Sequence, residues 1–291
     1  MYKLIKKTII SKTLVEFIIE AKDIANNAYP GEFLIVKKDE VGERIPLTIS
    51  DIDKENGTVT IVVQEIGLST KKINSLNEGE YFTDVVGPLG NPSDLVTDFD
   101  DIKNENILFV AGGVGSAPVY PQVKFLVEKG IKPTCIIGSR TKELLVYVDR
   151  FKELGVEVII TTDDGTEGIK GPVTIAMKKL IEEEGRKFDR VVAIGPAIMM
   201  KFVCLLTKEH NIKTIVSMNT LMVDGTGMCG ACRVKVGNET KFACVDGPEF
   251  DGHLIDFDEV MKRQSMYRDE EKRALLESEE KENGCGCSKK N

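Results

Sequence analysis

Ile107-Leu108-Phe109-Val110-Ala111-Gly112-Gly113-Val114-Gly115-Ser116-Ala117-Pro118 reads as a strand running into a glycine turn and then a helix. Five apolar residues in a row, without alternation, are what a strand covered on both faces requires. Glycines between such a strand and a helix let a diphosphate approach the backbone at the helix N-terminus. Their order is not Gly-x-Gly-x-x-Gly, so a dehydrogenase-type Rossmann domain is not implied. Similar apolar runs recur at residues 134–138, 156–161, 190–194 and 213–216, with helical stretches at 119–129, 172–184 and 197–210. This alternation predicts a parallel sheet over residues 104–220. Ser139-Arg140, Asp163-Asp164-Gly165 and Gly195-Pro196 fall at the carboxyl ends of its strands, where open α/β sheets bind ligands. Arg140 can meet a 2'-phosphate or stand as a solvated charge.

Upstream, the acidic Asp98-Phe99-Asp100-Asp101 marks a boundary. Residues 1–100 read as short strands at 3–10, 14–20, 32–37 and 58–64, punctuated by Tyr29-Pro30-Gly31 and the hairpin signal Asn56-Gly57. Close-spaced antiparallel strands predict a small β barrel. Within it, Arg44-Ile45-Pro46-Leu47-Thr48-Ile49-Ser50 offers an arginine for a phosphate, a stiffening proline, and hydroxyls beside backbone that can bond a planar ring. The same segment can equally be an edge strand with an exposed arginine. Gly67-Leu68-Ser69-Thr70 opens a predicted helix over 71–76, where N–H groups and hydroxyls can hold an anion, and Gly87-Pro88-Leu89-Gly90 reads as a rigid turn.

Downstream comes Asp224-Gly225-Thr226-Gly227-Met228-Cys229-Gly230-Ala231-Cys232, then eleven residues to Cys244. The spacing of the first three ligand positions is that of a plant-type ferredoxin loop with Asp224 in the place of the first cysteine, which points to a 2Fe-2S cluster in residues 221–255. Gly225, Gly227 and Gly230 allow backbone N–H groups to turn inward at sulfur. The competing reading is a zinc knuckle, since Cys-x2-Cys and Asp also suit zinc. Asp224 is read as a protonatable oxygen ligand that shifts the cluster's potential, or else as a bystander beside three cysteines. Residues 256–291 read as a charged, mostly solvated C-terminal tail; its Cys285 and Cys287 either help ligate a partner's metal or are idle thiols.

The chain has 291 residues, enough for two cores, with 42% hydrophobic and 30% charged residues, as in ordinary globular proteins. A net charge of -8 excludes a nucleic-acid partner on electrostatic grounds. No apolar run is long enough for a membrane span and the N-terminus lacks a leader's apolar region, so a cytoplasmic location is expected. Seven cysteines, with Cys135 and Cys204 inside apolar runs, fit a reducing compartment with metal ligation. With His210 and His253 the only histidines, no His-based triad or zinc hydrolase is expected.

The Arg-x-Pro-x-x-x-Ser, Gly-x-Ser-Thr and Gly-Pro-Leu-Gly segments, in this order, resemble the flavin barrel of the ferredoxin-NADP reductase superfamily, and Gly-Gly-x-Gly-x-Ala-Pro resembles its pyridine-nucleotide turn. Barrel, nucleotide domain and cluster together resemble, over residues 1–262, the family of dihydroorotate dehydrogenase electron-transfer subunits and the small subunits of NADH-dependent ferredoxin:NADP oxidoreductase and sulfide dehydrogenase. The resemblance implies FAD at Arg44, Pro46, Leu47, Thr48, Ile49, Ser50, Gly67, Ser69, Thr70, Gly87 and Gly90. It implies NAD(H), as substrate, at Gly112, Gly113, Val114, Gly115, Ala117, Pro118, Ser139, Arg140, Asp163, Gly195 and Pro196. Asp224 in place of a cysteine looks like the electron-bifurcating transhydrogenase branch, which implies a larger partner subunit carrying flavin and 4Fe-4S clusters, and ferredoxin indirectly. The alternatives are the dihydroorotate branch and, from another class, a nucleotide-binding module with a structural zinc site.

Overall fold

The fold is taken from a computed structural model that describes residues 1–284. Seven strands come first: β1 (Tyr2–Ser11), β2 (Leu14–Glu20), β3 (Phe33–Lys37), β4 (Arg44–Asp53), β5 (Thr58–Gln64), β6 (Tyr81–Phe82) and β7 (Asp84–Leu89). They form one antiparallel sheet in the order β6-β1-β2-β5-β4-β3-β7. The edge strands β6 and β7 are joined through Thr83 alone, which brings the edges together as a near-closed barrel, and Thr83 bonds Lys38 O through both its N–H and its hydroxyl, extending the β3–β7 ladder. Phe17, Ile19, Leu34, Ile49, Ile61 and Phe82 fill it.

The second layer holds β8 (Ile107–Gly112), β9 (Thr134–Ser139), β10 (Glu157–Thr162), β11 (Ile169–Lys170), β12 (Arg190–Ile194) and β13 (Lys213–Ser217). After them come the hairpin β14 (Arg233–Val236) and β15 (Glu239–Phe242), and β16 (Glu249–Asp251). The order is β11-β10-β9-β8-β12-β13-β16, with all neighbours parallel except β13 and β16. The parallel sheet expected from the sequence is therefore mixed, because a strand from beyond the cluster loop closes its edge. Leu108 and Val110 of β8 face one core, with Val173, Met177, Met200 and Val203. Ile107, Phe109 and Ala111 face the other, with Val119, Val123 and Phe151. Two covered faces explain the uninterrupted apolar run.

Two segments differ from their expected form. Gly87-Pro88-Leu89 is strand, not turn, and only Gly90 (φ +78°) reverses direction. The charged segment from 256 is not a free tail at its start: in helix Phe257–Gln264, Phe257 and Val260 join the sheet's core. A second helix, Arg268–Gly284, lies against the short helix Leu68–Asn74. Cys285 and Cys287 lie outside the described residues. No described helix is long and apolar enough to cross a membrane.

Candidate functional site

β4 is laddered to β3 from Arg44 to Thr48 but joins β5 only from Ile49 onward. Among the described strands, the outer edge of residues 44–48 has no neighbour, so its backbone groups are open to a planar ligand. β4 is thus not an edge strand of the barrel, yet it offers an edge where the motif lies. Pro46 and Leu47 are half-buried there. The Arg44 guanidinium stands 3.2 Å from the Asp84 carboxylate. Ser50 is fully buried and donates to Thr60 O (3.0 Å), so its hydroxyl holds the barrel together and does not face a ligand.

Gly67 caps helix Leu68–Asn74 with extended backbone (φ -144°), and a Cβ there would meet nothing within 4 Å. Glycine is not demanded by packing; its bareness leaves the turn open. The Thr70 hydroxyl accepts the N–H groups of Ile66 (2.9 Å) and Gly67 (3.1 Å), capping the helix from within. Ser69 donates to Glu43.

The chain leaves β8 toward β9 on one side and returns to β12 on the other, so the switch point of the sheet lies between β8 and β12. Gly112 and Gly195 meet there: a Cβ on Gly195 would stand 3.1 Å from Gly112 Cα, and one on Gly112 3.0 Å from Pro196 Cδ. A Cβ on Gly115 would overlap the Ile194 carbonyl. Gly115 is thus fixed by backbone, whereas the first obstacle at Gly112 and Gly195 is the Met199 side chain. Gly113 (φ +57°) is different, for its Cβ position is open space, and the Ser116 hydroxyl bonds its carbonyl (3.1 Å) at the start of helix Ser116–Glu128. Val114 is half-buried beside it, while Ala117 is buried and Pro118 half-buried in the first turn. Ser139 and Asp163 sit side by side at neighbouring strand ends, the Asp163 N–H donating to Ser139 O (3.1 Å), and Arg140 is exposed. All the predicted nucleotide residues therefore gather at the carboxyl end of the sheet.

In the cluster loop the Asp224 carboxylate accepts the N–H of Thr226 (2.6 Å) on one oxygen and that of Cys229 (2.7 Å) on the other. The Thr226 and Cys229 bonds hold its carboxyl below the usual range, so it is ionised at neutral pH. Cys229 is exposed and its sulfur accepts the Ala231 N–H (3.4 Å); Cys232 and Cys244 are buried with sulfurs 3.2 Å apart and no disulfide. The loop thus presents two pairs, Asp224 beside Cys229 and Cys232 beside Cys244. Gly225, Gly227 and Gly230 all have φ between 65° and 87°.

The loop is seated on the barrel. Cys232, Cys244, Ala243 and Met222 share one small core with Phe33 and Ile35 of β3, and Leu89 packs against it. A Cβ on Gly225 would overlap the tip of Ile35. Asn91 donates its N–H to Gly247 O (2.7 Å) and its side-chain amide to Val245 O (3.1 Å). The predicted flavin strand β4 is therefore paired with β3, the strand on whose Phe33 and Ile35 the predicted cluster loop sits.

Comparison with known proteins agrees with this arrangement. The iron-sulfur cluster binding domain of dihydroorotate dehydrogenase B matches residues 219–256. A dihydroorotate dehydrogenase B (NAD(+)) electron transfer subunit homolog of Thermotoga maritima is 48% identical, over 93% of each chain. The chain belongs to the family of dihydroorotate dehydrogenase B electron-transfer subunits and their homologues. Within this family, the probable electron transfer subunit of Methanocaldococcus jannaschii is 38% identical over 85% of this chain and 87% of its own. A solved structure of the NADH-dependent reduced ferredoxin-NADP oxidoreductase, described for flavin-based electron bifurcation, superposes with a TM-score of 0.88 at 45% identity, covering 95% of this chain and 97% of that one. The P450 reductase GcoB of Amycolatopsis, at 17% identity and a TM-score of 0.61 over 72% and 66% of the two chains, shares the fold alone. The chain is an oxidoreductase subunit for electron transfer among NAD(H), FAD and an iron–sulfur cluster.

Sequence reasoning missed the groups that join the domains. Glu16 of β2 accepts the Tyr147 hydroxyl and the Arg150 guanidinium (2.9 Å), and Lys124 pairs with Asp51 at 2.8 Å. Tyr147 holds a left-handed backbone (φ +61°), an uncommon conformation for a bulky residue. Ser93, Gln122 and Glu249 form a second junction.

Proposed function

We propose that this chain moves electrons between NAD(H), FAD and a 2Fe-2S cluster, and exchanges them with a larger subunit carrying flavin and 4Fe-4S clusters, in electron-bifurcating NADH-dependent ferredoxin:NADP oxidoreduction. The observation that carries this reading is the seating of the cluster loop on β3, the strand paired with residues 44–48, whose other edge is open. Residues 44–48 would hold the flavin ring, with Arg44, Gly67 and Ser69 at its pyrophosphate. The open Gly113 turn would receive the NAD(H) diphosphate, and Gly195-Pro196 would face its nicotinamide end. Asp224, Cys229, Cys232 and Cys244 would ligate the cluster, the aspartate as a hard oxygen donor that tunes its potential. When bound, FAD exchanges hydride with NAD(H) and single electrons with the cluster. The chain's part is placement: Phe33 and Ile35 of β3, with Leu89 of β7, pack against the cluster loop, and β3 is paired with residues 44–48, so the two centres would be held on neighbouring strands.

The test is an anaerobic pull-down from the native host, with the bound chain identified by mass spectrometry and metals by elemental analysis. A large flavoprotein rich in iron–sulfur motifs is the expected partner. Capture of a dihydroorotate-oxidising barrel would move the chain to the dihydroorotate branch, and zinc in place of iron would remove the redox reading.

A further inference from the structure

Barrel, nucleotide layer and cluster module meet at Glu249. It lies on β16, five residues beyond Cys244, beside Phe250, which packs against the core that holds Cys232 and Cys244. Its Oε2 accepts the Ser93 hydroxyl (2.8 Å), just after the barrel's last turn. Its Oε1 accepts the side-chain amide of Gln122 (2.5 Å), on the helix that begins at the nucleotide turn. Just before it, Pro248 rests on Gly90, where a Cβ would stand 2.9 Å from Pro248 Cδ.

Both donors to Glu249 are neutral. The charges around it are Asp94, ahead of β8, and Arg190 of β12, which is bonded to Asp94 and Glu105; Lys213 of β13 stands 3.7 Å from Asp94. On its own strand, Asp251 is turned to the His253 N–H (2.9 Å). Burial pushes the Glu249 carboxyl up to about 7, with Asp94 adding to the rise, against the hydrogen bonds of Ser93 and Gln122. Gln122 Oε1 is buried without a partner, an acceptor beside a carboxyl that can carry a proton.

We propose that Glu249 is the proton-accepting residue of the electron-transfer reaction: its carboxylate takes one proton from solvent as the cluster module receives one electron, and returns it when the electron leaves. This rests on the electron-transfer reading above. The balance is simple, since the electron comes from NAD(H) by way of the flavin, the proton from water, and the net charge of the module does not change. A negative charge arriving at the cluster raises the proton affinity of a carboxylate nearby in the interior. By linkage, the protonated carboxyl raises the module's affinity for the electron equally. Once protonated, Glu249 donates to Gln122 Oε1 after a flip of that amide, filling the unpartnered acceptor without moving backbone.

The experiment follows the cluster's own EPR signal in a reductive titration of the anaerobic holoprotein, at pH values on both sides of neutrality, for wild type and Glu249→Gln. The wild-type potential is expected to fall as pH rises through neutrality, and the variant's to lose that slope. An equal slope in both, or no slope in wild type, overturns the proposal. Infrared difference spectra of the wild type decide the matter even if the variant fails to fold. A protonated carboxyl band that appears on reduction supports Glu249, and its absence overturns it. A chain that binds neither iron nor flavin breaks the electron-transfer reading; one that binds both, with a pH-independent cluster potential, breaks this inference alone.

Discussion

The nucleotide turn at Gly112–Gly115 and the cluster loop at Asp224–Cys232 are both rich in glycine, for different physical reasons. At the turn, Gly115 is required because its Cβ would run into the Ile194 backbone, while at Gly112 and Gly195 a Cβ would first meet the Met199 side chain and then Pro196 or the Gly112 backbone. In the loop, the glycines are required by left-handed backbone, and a Cβ at Gly225, Gly227 or Gly230 meets only side chains such as Ile35, Val245 and Phe242. The first is a packing constraint on the fold; the second is a conformational constraint on a ligand loop. Packing of the first kind is rigid, whereas side-chain neighbours yield.

That contrast orders the expected effects. Gly115→Ala is the most damaging: with the Ile194 carbonyl in the way, the helix must shift, costing roughly 3 kcal/mol or more and lowering NADH affinity, as read by denaturant unfolding and nucleotide titration. Cys244→Ser removes a buried ligand and should abolish most of the cluster's absorbance while the flavin stays bound; a variant that keeps its cluster would remove Cys244 from the site. Gly225→Ala forces φ +77° on a residue with a Cβ and displaces the Ile35 tip, for a loss of about 1–2 kcal/mol with the mixed sheet intact. Asp224→Cys should retain the cluster with an altered potential, and an unmoved potential would count against Asp224 as a ligand.

Stability should also depend on pH through Glu249. Its folded value, about 7, lies above the ordinary carboxylate range, so the folded chain holds a proton there that the unfolded chain has lost. Stability from this group is full below about pH 4.5 and falls as pH rises toward 7, after which the penalty is constant. Glu249→Gln should therefore gain about 1–3 kcal/mol over wild type at pH 8 and little at pH 5, measured by thermal unfolding.

The legible parts of the sequence were those governed by local pattern. Strand β2, strand β5 and strand β12 fall where their apolar runs end, and Gly112–Pro118 lies at the sheet's switch point, because unbroken apolar runs and turn glycines encode both. Gly87-Pro88-Leu89 misled because a proline beside glycines reads as a turn, while tertiary pairing with β3 holds it as strand. Ser50 and Thr70 were read as ligand hydroxyls, but they satisfy groups within the fold. Phe257 and Val260 were hidden in a charged segment, since two apolar residues at helical spacing are a weak signal. Glu16, Tyr147, Ser93, Gln122 and Glu249 were not legible at all, because contacts between residues more than a hundred positions apart leave no periodicity.

The central claim is that a cluster held by Asp224, Cys229, Cys232 and Cys244 exchanges electrons with a flavin held along residues 44–48. Its most direct measurement is anaerobic NADH titration of the purified chain, followed by visible absorbance and by EPR. The account predicts that NADH bleaches the flavin and that the signal of a reduced 2Fe-2S cluster then appears, and is missing from Cys244→Ser. A colourless protein that contains zinc, or a flavin that bleaches while the cluster stays oxidised, would contradict it.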